Sequence, residues 1–196
     1  MRMPNLETER LLIRPFVIDD LDAIYQILDV ELSDVEFGTE GAQSRDGRRH
    51  WLEWTVRNYE ELAKLYQPPY GDRAVVLRQS GALIGAIGYV PCLMPFGLLP
   101  AFQTAADAQA ARLNSTEFGL YYAFAPAHQR RGYATEATRA MIGYAFETLH
   151  LKRIVATTTY DNAGSIGVMR RVGMRIERNP YPDPPWLQVV GVLENR

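Results

Sequence analysis

A strand, a glycine and a helix follow one another in the middle of the chain, and they restrict its fold more than any other feature. The strand "EFGLYYAF" (117–124) carries apolar residues on both faces, which predicts a central position in a sheet. After Gly132, apolar residues recur at helical spacing as far as Leu149. A central strand that leads into an amphipathic helix is typical of α/β proteins.

Elements of both kinds surround this unit and predict a mixed sheet. The predicted strands are 10–16, 73–79, 82–90, 117–124, 152–160, 174–178 and 187–193. The predicted helices are 19–30, 48–66, 133–149 and a short one that Asp161 or Asn162 caps and that ends at Arg171. Residues 1–196 are therefore interpreted as a single domain, with the proline-containing segment 91–114 as an insertion between two strands.

Composition excludes several functional classes. The formal charge is -2 and the pI is about 5.9, whereas nucleic-acid-binding proteins usually carry a basic excess. No apolar run is long enough to cross a bilayer, and "MRMPNLETERLL" lacks the apolar core of a signal peptide. With one cysteine, Cys92, and three scattered histidines, no metal motif is present. We expect a cytoplasmic protein that binds no metal, membrane or nucleic acid.

The junction "HQRRGYATEA" (128–137) has the chemistry of an anion site. The first N–H groups of a helix lack intrahelical partners, and the helix dipole favours a negative charge there. A glycine at position 132 lets a bulky phosphate approach the backbone. Neither a Walker loop nor a GxGxxG fingerprint is present. The residues alone leave two interpretations open, a pyrophosphate site and a basic turn that ends in glycine.

Three segments together resemble the GNAT family of N-acetyltransferases. "QRRGYA" (129–134) is similar to the signature of that family, and "DNAGSIGVMRRVGM" (161–174) follows at the family's spacing. "ETERLLIRPF" (7–16) resembles the opening strand of the subgroup that includes the ribosomal-protein N-terminal acetyltransferases. The resemblance implies the acyl-CoA N-acyltransferase fold, in which helices flank a mixed, centrally splayed β-sheet.

The same resemblance implies that the chain binds acetyl-CoA where strands 117–124 and 152–160 splay apart. Unpaired backbone groups of that split would pair with the pantetheine arm. The implied cofactor-binding residues are Phe124, Gln129, Arg130, Arg131, Gly132, Tyr133, Ala134, Thr135 and Asn162, the backbone amides of 129–135 holding the pyrophosphate. Asn162 matches a family asparagine that contacts the arm, and it also suits a helix N-cap.

The resemblance implies catalytic roles for two residues. Glu117 matches a family carboxylate that accepts the amine proton, directly or through water; the alternative is an exposed glutamate at a strand end. A backbone N–H near Phe124 would meet the oxyanion. Many family members carry a tyrosine that acts as the general acid where this chain has Met169. The ribosomal-type subgroup instead carries a serine that Ser165 matches, so the resemblance implies Ser165 as the proton donor, with Tyr160 or water as alternatives.

The implied activity is transfer of an acetyl group from acetyl-CoA to a primary amine, by direct attack in a ternary complex. The acceptor is either a small molecule or a protein N-terminus. The alternative function is a non-catalytic acyl-CoA-binding or regulatory module on the same fold. Trp51, Trp54 and Tyr59 either border the acceptor pocket or pack in the core. The apolar stretch "CLMPFGLLPAF" (92–102) is interpreted as a lid or as a contact in a homodimer.

Overall fold

The computed structural model describes residues 2–34, 41–102 and 112–195. Within these ranges the chain forms eight strands and four α-helices. The strands are β1 (Leu6–Glu7), β2 (Leu11–Pro15), β3 (Gly71–Leu77), β4 (Leu83–Met94), β5 (Ser115–Phe124), β6 (Arg153–Thr158), β7 (Arg175–Arg178) and β8 (Val189–Glu194). The helices are α1 (Leu21–Tyr25), α2 (Arg45–Lys64), α3 (Tyr133–Gly143) and α4 (Ala163–Arg171). Two π-helical turns, Gln26–Glu31 and Tyr144–Thr148, continue α1 and α3.

The chain divides into two compact units, each built from two separate segments. The first unit lies within Met1–Tyr89 and Tyr121–Met141, and the second within Val90–Leu120 and Ile142–Arg196. Strand β4 begins in the first unit and ends in the second, whereas β5 begins in the second unit and ends in the first. The strands are hydrogen-bonded in the order β1-β2-β3-β4-β5-β6-β8-β7. This mixed sheet, accompanied by four helices, confirms the predicted fold class.

In the first unit, β1 pairs antiparallel with β2, β2 with β3, and β3 with β4. Leu11 and Ile13 are fully buried and alternate with the half-buried Leu12, which is the pattern of a strand with one buried face. Ile24 of α1 and Leu52 of α2 are also fully buried, in one hydrophobic cluster. Burying such a side chain stabilises a fold by about 1.5–3 kcal/mol. Apolar packing therefore holds both helices in this unit.

In the second unit, parallel and antiparallel pairing meet at β6. Strands β5 and β6 are parallel, and their ladder has the single registered pair Gly119 and Val155. Such a short ladder agrees with the predicted splay. On its other side β6 pairs antiparallel with β8, the last strand in sequence, which lies between β6 and β7. A hydrophobic cluster supports these strands and includes Phe96, Leu99, Val155, Leu187, Val190 and Val192.

Strand β4 corrects one boundary of the prediction. Residues 91–94 are not loop, because β4 continues through Pro91 and the buried Cys92 to Met94. Proline fits a strand wherever its missing N–H is not needed for pairing, and its fixed φ suits extended backbone. Short 3₁₀ turns, Phe96–Leu98 and Pro100–Phe102, follow. The predicted alanine-rich helix falls mainly on residues 103–111, outside the described residues, and the insertion itself stays a prediction.

Helix α2 begins and ends earlier than its apolar pattern predicts. It starts at Arg45 rather than Arg48, because the side chain of Ser44 accepts a hydrogen bond from the N–H of Gly47 and caps the helix. It ends at Lys64, so Tyr66 is 90% exposed and does not continue the buried face. The sequence also failed to predict β1, whose two residues are too few to show a period.

Candidate functional site

The connection from β5 to α3 has an unusual backbone. A 3₁₀ turn, Pro126–His128, leaves the strand, and two residues with positive φ follow: Arg130 at 58° and Gly132 at 83°. Left-handed residues interspersed in a short loop turn successive N–H groups toward one side, and such concave arrangements bind anions. The Nε2 of Gln129 donates a 2.9 Å hydrogen bond to the carbonyl oxygen of Phe124, which ties this loop to the strand end.

The start of α3 supplies further donors. Its first turn closes where the N–H of Glu136 donates to the carbonyl oxygen of Gly132 at 3.0 Å. The amides of Tyr133, Ala134 and Thr135 precede that bond and therefore have no acceptor inside the helix. They carry the positive end of the helix dipole, so this turn favours a phosphate oxygen. The first unit thus brings together the strand end and the loop residues that the sequence predicts as a pyrophosphate site.

Two observations favour glycine at position 132. Its φ of 83° is unfavourable for a residue with a Cβ atom. A Cβ atom there would also approach the Nη2 atom of Arg10 to 3.3 Å. Arg130 and Arg131 are exposed, so their side chains extend along the surface while the backbone between them forms the turn.

Three residues that the sequence analysis did not predict, Thr8, Arg10 and Glu136, form a hydrogen-bonded group beside this loop. Glu136 accepts hydrogen bonds from the hydroxyl of Thr8 at 2.6 Å and from the backbone N–H of Arg10 at 2.9 Å. Burial raises the pKa of Glu136, but the hydrogen bonds from Thr8 and Arg10 outweigh that effect and hold the pKa below its ordinary value. More than 120 residues separate these partners, so no local pattern could have identified them.

In the second unit, Asn162 lies before the first turn of α4. Its Oδ1 accepts a 2.9 Å hydrogen bond from the backbone N–H of Ser165, which is the geometry of an N-cap. One of the two roles considered for Asn162 is therefore observed. Its side chain remains exposed, and Ser165 is half-buried on the first turn. The contact with a pantetheine arm stays a prediction.

Glu117 is one partner of a partly buried ion pair rather than an exposed strand-end residue. Its side chain is 10% exposed, and Arg153 of β6 donates to both carboxylate oxygens, from Nε at 2.9 Å and from Nη2. The guanidinium of Arg153 also stacks 4.4 Å from the ring centre of Phe102. Neither contact was predicted. An ionised carboxylate offers about four lone-pair sites, so two remain for another donor.

The neighbouring thiol and the methionine that replaces the family's tyrosine are both core residues. Burial, with a contribution from the charge of Glu117, raises the pKa of the Cys92 thiol to about 11. The thiol is therefore protonated at neutral pH and behaves as a small apolar group. Met169 is 1% exposed and packs against Gly191, where a Cβ atom would come within 3.0 Å of its sulfur. Position 169 thus faces the core of this unit.

Tyr160, one of the alternative proton donors, is already engaged. Its hydroxyl donates to the carbonyl oxygen of Asn179 and lies 3.2 Å from that of Tyr181. Its backbone N–H donates to the side chain of Gln188 at 2.9 Å. The hydroxyl contacts attach Tyr160 to the proline-rich turn "NPYPDPP" (179–185), so the hydroxyl would have to exchange partners before donating a proton elsewhere.

The aromatic residues of α2 divide between core and surface. Trp51 packs edge-on against Phe16 with ring centres 5.6 Å apart, and Trp54 is 59% exposed. The hydroxyl of Tyr59 donates to the carbonyl oxygen of Asp72 and accepts from the N–H of Phe16 at 3.1 Å. Core packing accounts for Trp51 and Tyr59, whereas Trp54 keeps a free face. Their predicted role beside an acceptor remains a prediction.

In residues 2–34, 41–102 and 112–195, no helix is long and apolar enough to cross a membrane. Across the same ranges, no three His, Cys, Asp or Glu side chains are grouped closely enough to hold a metal ion.

Comparison with solved structures identifies the fold. An acetyltransferase from Agrobacterium tumefaciens strain C58 superposes with a TM-score of 0.69 at 24% identity, covering 99% of this chain and 96% of that one. A ribosomal-protein-S5-alanine acetyltransferase from Vibrio fischeri gives 0.68 at 17% identity, covering 98% and 97%. A ribosomal L7/L12 alpha-N-protein acetyltransferase in complex with coenzyme A gives 0.64 at 15%, covering 97% and 98%. No curated protein matches the sequence.

The sequence also matches a protein-family model. The family model described as an acetyltransferase (GNAT) domain matches residues 10–175, which is most of the chain. The match includes β5, the loop before α3 and the start of α4. The predicted resemblance is confirmed, and the chain belongs to the GNAT family of acetyltransferases.

Proposed function

We propose that this protein transfers the acetyl group of acetyl-CoA to a primary amine, by direct attack of the amine in a ternary complex. One observation supports the proposal above the others. In a chain of the GNAT family, the β5–α3 junction combines two left-handed residues with a helix start whose amides lack helical acceptors. Such a junction fits the pyrophosphate of coenzyme A, which carries the negative charge that the exposed N–H groups and helix dipole favour.

Cofactor binding is assigned to two groups of residues. In the first unit, the amides of residues 129–135 hold the pyrophosphate. The backbone N–H of Gln129 donates to the carbonyl oxygen of Pro126 at 3.2 Å, so Gln129 would have to exchange that bond for one to the pyrophosphate. The carbonyl of Phe124 is likewise bonded to Gln129, so Phe124 would offer its N–H side. In the second unit, the exposed side chain of Asn162 contacts the pantetheine arm.

Catalysis is assigned to Glu117 and Ser165. Acetyl-CoA supplies an activated acyl group with a thiolate as its leaving group. Glu117 accepts the proton of the attacking amine, directly or through water, on the carboxylate positions that Arg153 leaves open. Ser165 donates a proton to the departing thiolate from the first turn of α4, whose N-terminal dipole end also favours that negative charge. A backbone N–H near Phe124 stabilises the oxyanion.

A primary amine is the proposed acceptor class, either on a small molecule or at a protein N-terminus. Two of the superposed structures are named for ribosomal proteins as acceptors, the S5-alanine and the L7/L12 enzymes. Because their identity to this chain is only 17% and 15%, they suggest which acceptors to screen and do not identify one. We therefore propose a panel of N-terminal peptides of ribosomal proteins, polyamines and aminoglycoside antibiotics.

Two measurements test the proposal in sequence. Isothermal titration with acetyl-CoA should show saturable binding, and no binding at millimolar cofactor would refute the proposal at its first step. Thiol release from acetyl-CoA, followed with a thiol reagent across the amine panel, should exceed the amine-free background for at least one acceptor.

A non-catalytic acyl-CoA-binding module is the second candidate, and two observations favour it. Met169 is a core residue at the position where many family members carry a tyrosine that acts as the general acid. The proposed base Glu117 is bound to Arg153. Saturable acetyl-CoA binding without amine-dependent thiol release would support this second candidate over the enzyme.

A further inference from the structure

A turn near the start of the chain contacts the first turn of α3 through an unusually complete set of polar bonds. Glu136 receives the hydroxyl of Thr8 and the backbone N–H of Arg10 on one carboxylate oxygen. Its other carboxylate oxygen accepts a 2.7 Å hydrogen bond from Nε of Arg10 and lies 2.6 Å from Nη2 in the ion pair. The guanidinium also lies 4.5 Å from the ring centre of Tyr133. Arg10 is thereby held in one orientation by a carboxylate at its edge and a ring at its face.

In this orientation Arg10 bonds to the loop itself. Its Nη1 donates a 3.0 Å hydrogen bond to the carbonyl oxygen of Arg131. Because a trans peptide is planar, its C=O and N–H point in opposite directions. Fixing the carbonyl of Arg131 on Arg10 therefore fixes the N–H of Gly132 on the side away from Arg10.

The other end of Gly132 is fixed as well. Its carbonyl oxygen accepts the N–H of Glu136 at 3.0 Å, the bond that opens α3. Glu136 thus sets both peptide planes around Gly132, one through its own backbone and the other through Arg10. Gly132 can rotate freely in isolation, since it has no Cβ atom, so its N–H would otherwise sample several directions.

We propose that Arg10 is a positioning residue for acetyl-CoA: held by Glu136, it orients the Arg131–Gly132 peptide so that the Gly132 N–H is directed at the pyrophosphate. This inference rests on the proposed function. Arg10 acts through the loop, because its Nε and Nη1 donate to protein acceptors and its Nη2 forms an ion pair with Glu136. The energetic gain is preorganisation, since a donor already aligned before binding costs no ordering when the anion arrives.

A purely structural role for this ion pair is the competing interpretation, and it predicts a different result. The side chain of Arg10 is 42% exposed, and ion pairs with such exposure contribute little to stability. Under our proposal, removing Arg10 should therefore leave the free energy of unfolding nearly unchanged and weaken binding only of ligands that carry a pyrophosphate. A purely structural role instead predicts equal losses of affinity for ligands with and without it. Two acetyl donors separate the interpretations: acetyl-CoA and S-acetylpantetheine, which lacks the pyrophosphate and the nucleotide.

The experiment compares the wild type with Arg10→Gln and Glu136→Gln, and uses Arg45→Gln as the matched control. Arg45 pairs with Asp22 through Nε and Nη2, is 46% exposed and is in the same unit. Acetyl-CoA affinity is measured by isothermal titration, S-acetylpantetheine binding by saturation-transfer NMR and folding by thermal unfolding. Arg10→Gln should weaken acetyl-CoA about tenfold, as expected for one lost hydrogen bond to a charged group. Glu136→Gln should also lower the affinity for acetyl-CoA, and neither substitution should change the binding of S-acetylpantetheine.

Three outcomes would overturn the proposal. Acetyl-CoA affinity of Arg10→Gln within about twofold of the wild type would show that the loop needs no such support. Equal losses for both donors would show a general structural effect, as would a loss in Arg45→Gln. A wild type that does not bind acetyl-CoA would instead refute the proposed function, so the two failures are distinguishable.

Discussion

Arg153 and Glu117 form a paired site on neighbouring parallel strands, in which the guanidinium donates to both carboxylate oxygens and leaves the glutamate side chain 10% exposed. The pairing joins the first residues of β6 to the first part of β5. A carboxylate held in this way keeps one orientation, which suits a group that must receive a proton at a defined place.

Replacing Glu117 with Gln should lower kcat for the best amine by about a hundredfold or more, because the amine loses its proton acceptor. The dissociation constant for acetyl-CoA should stay unchanged. The matched control is Glu177→Gln, since Glu177 is also largely buried and pairs with Arg175 at 2.8 Å in the same unit. A Glu117→Gln enzyme with full kcat would exclude Glu117 as the base and favour a structural role for its pair with Arg153.

Substituting Gly132 by Ala should sharply reduce acetyl-CoA affinity. The new Cβ atom would sit at a φ of 83°, 3.3 Å from the Nη2 of Arg10, and would displace either the loop or its support. Gly81→Ala is the control, because Gly81 has a φ of 73° and no atom within 4 Å of the added Cβ. Both variants should lose about 1–2 kcal/mol of unfolding free energy to backbone strain. Equal acetyl-CoA affinities, measured by titration, would contradict the pyrophosphate assignment.

The two roles of Asn162 can be separated by two substitutions. Asn162→Ala should lower the unfolding free energy by about 1 kcal/mol, because the N–H of Ser165 loses its cap. Asn162→Asp keeps a capping oxygen and should retain stability, yet it should weaken acetyl-CoA if the side-chain amide contacts the pantetheine arm. Urea unfolding and titration measure the two effects. Normal cofactor affinity in Asn162→Asp would leave capping as the sole role of Asn162.

Asp72 should make stability depend on pH. Burial raises the pKa of its carboxyl from 3.8 to about 6, although nearby Arg48 opposes the shift. Between these values the folded chain binds more protons than the unfolded chain, so the unfolding free energy should fall as pH rises from 3.8 to about 6. Asp72→Asn should remove this fall and unfold at higher temperature than the wild type at pH 7. Parallel pH profiles of melting temperature for both proteins would contradict the assignment.

Much of the fold was predictable because its signals are local. The apolar stripe of α3 follows the helical period, and β2 and β5 are short apolar runs, each within a single segment. The glycine at 132 and the capping asparagine at 162 act on backbone within four residues, so their structural roles followed from type and position. Boundaries failed where local signals conflict, as at Pro91 inside β4.

The sequence by itself therefore determined the class of fold, the loop that precedes α3 and the family to which the chain belongs. Only the tertiary structure decided which side chains support those features. Arg10 meets Glu136 across 126 residues, Arg153 meets Glu117 across 36, and β8 enters the sheet between β6 and β7. The hydrophobic period indicates which face of an element is buried, but the sequence around a polar side chain does not identify its hydrogen-bond partner. That partner is set by the path of the chain, which brings distant segments within hydrogen-bonding distance only after folding.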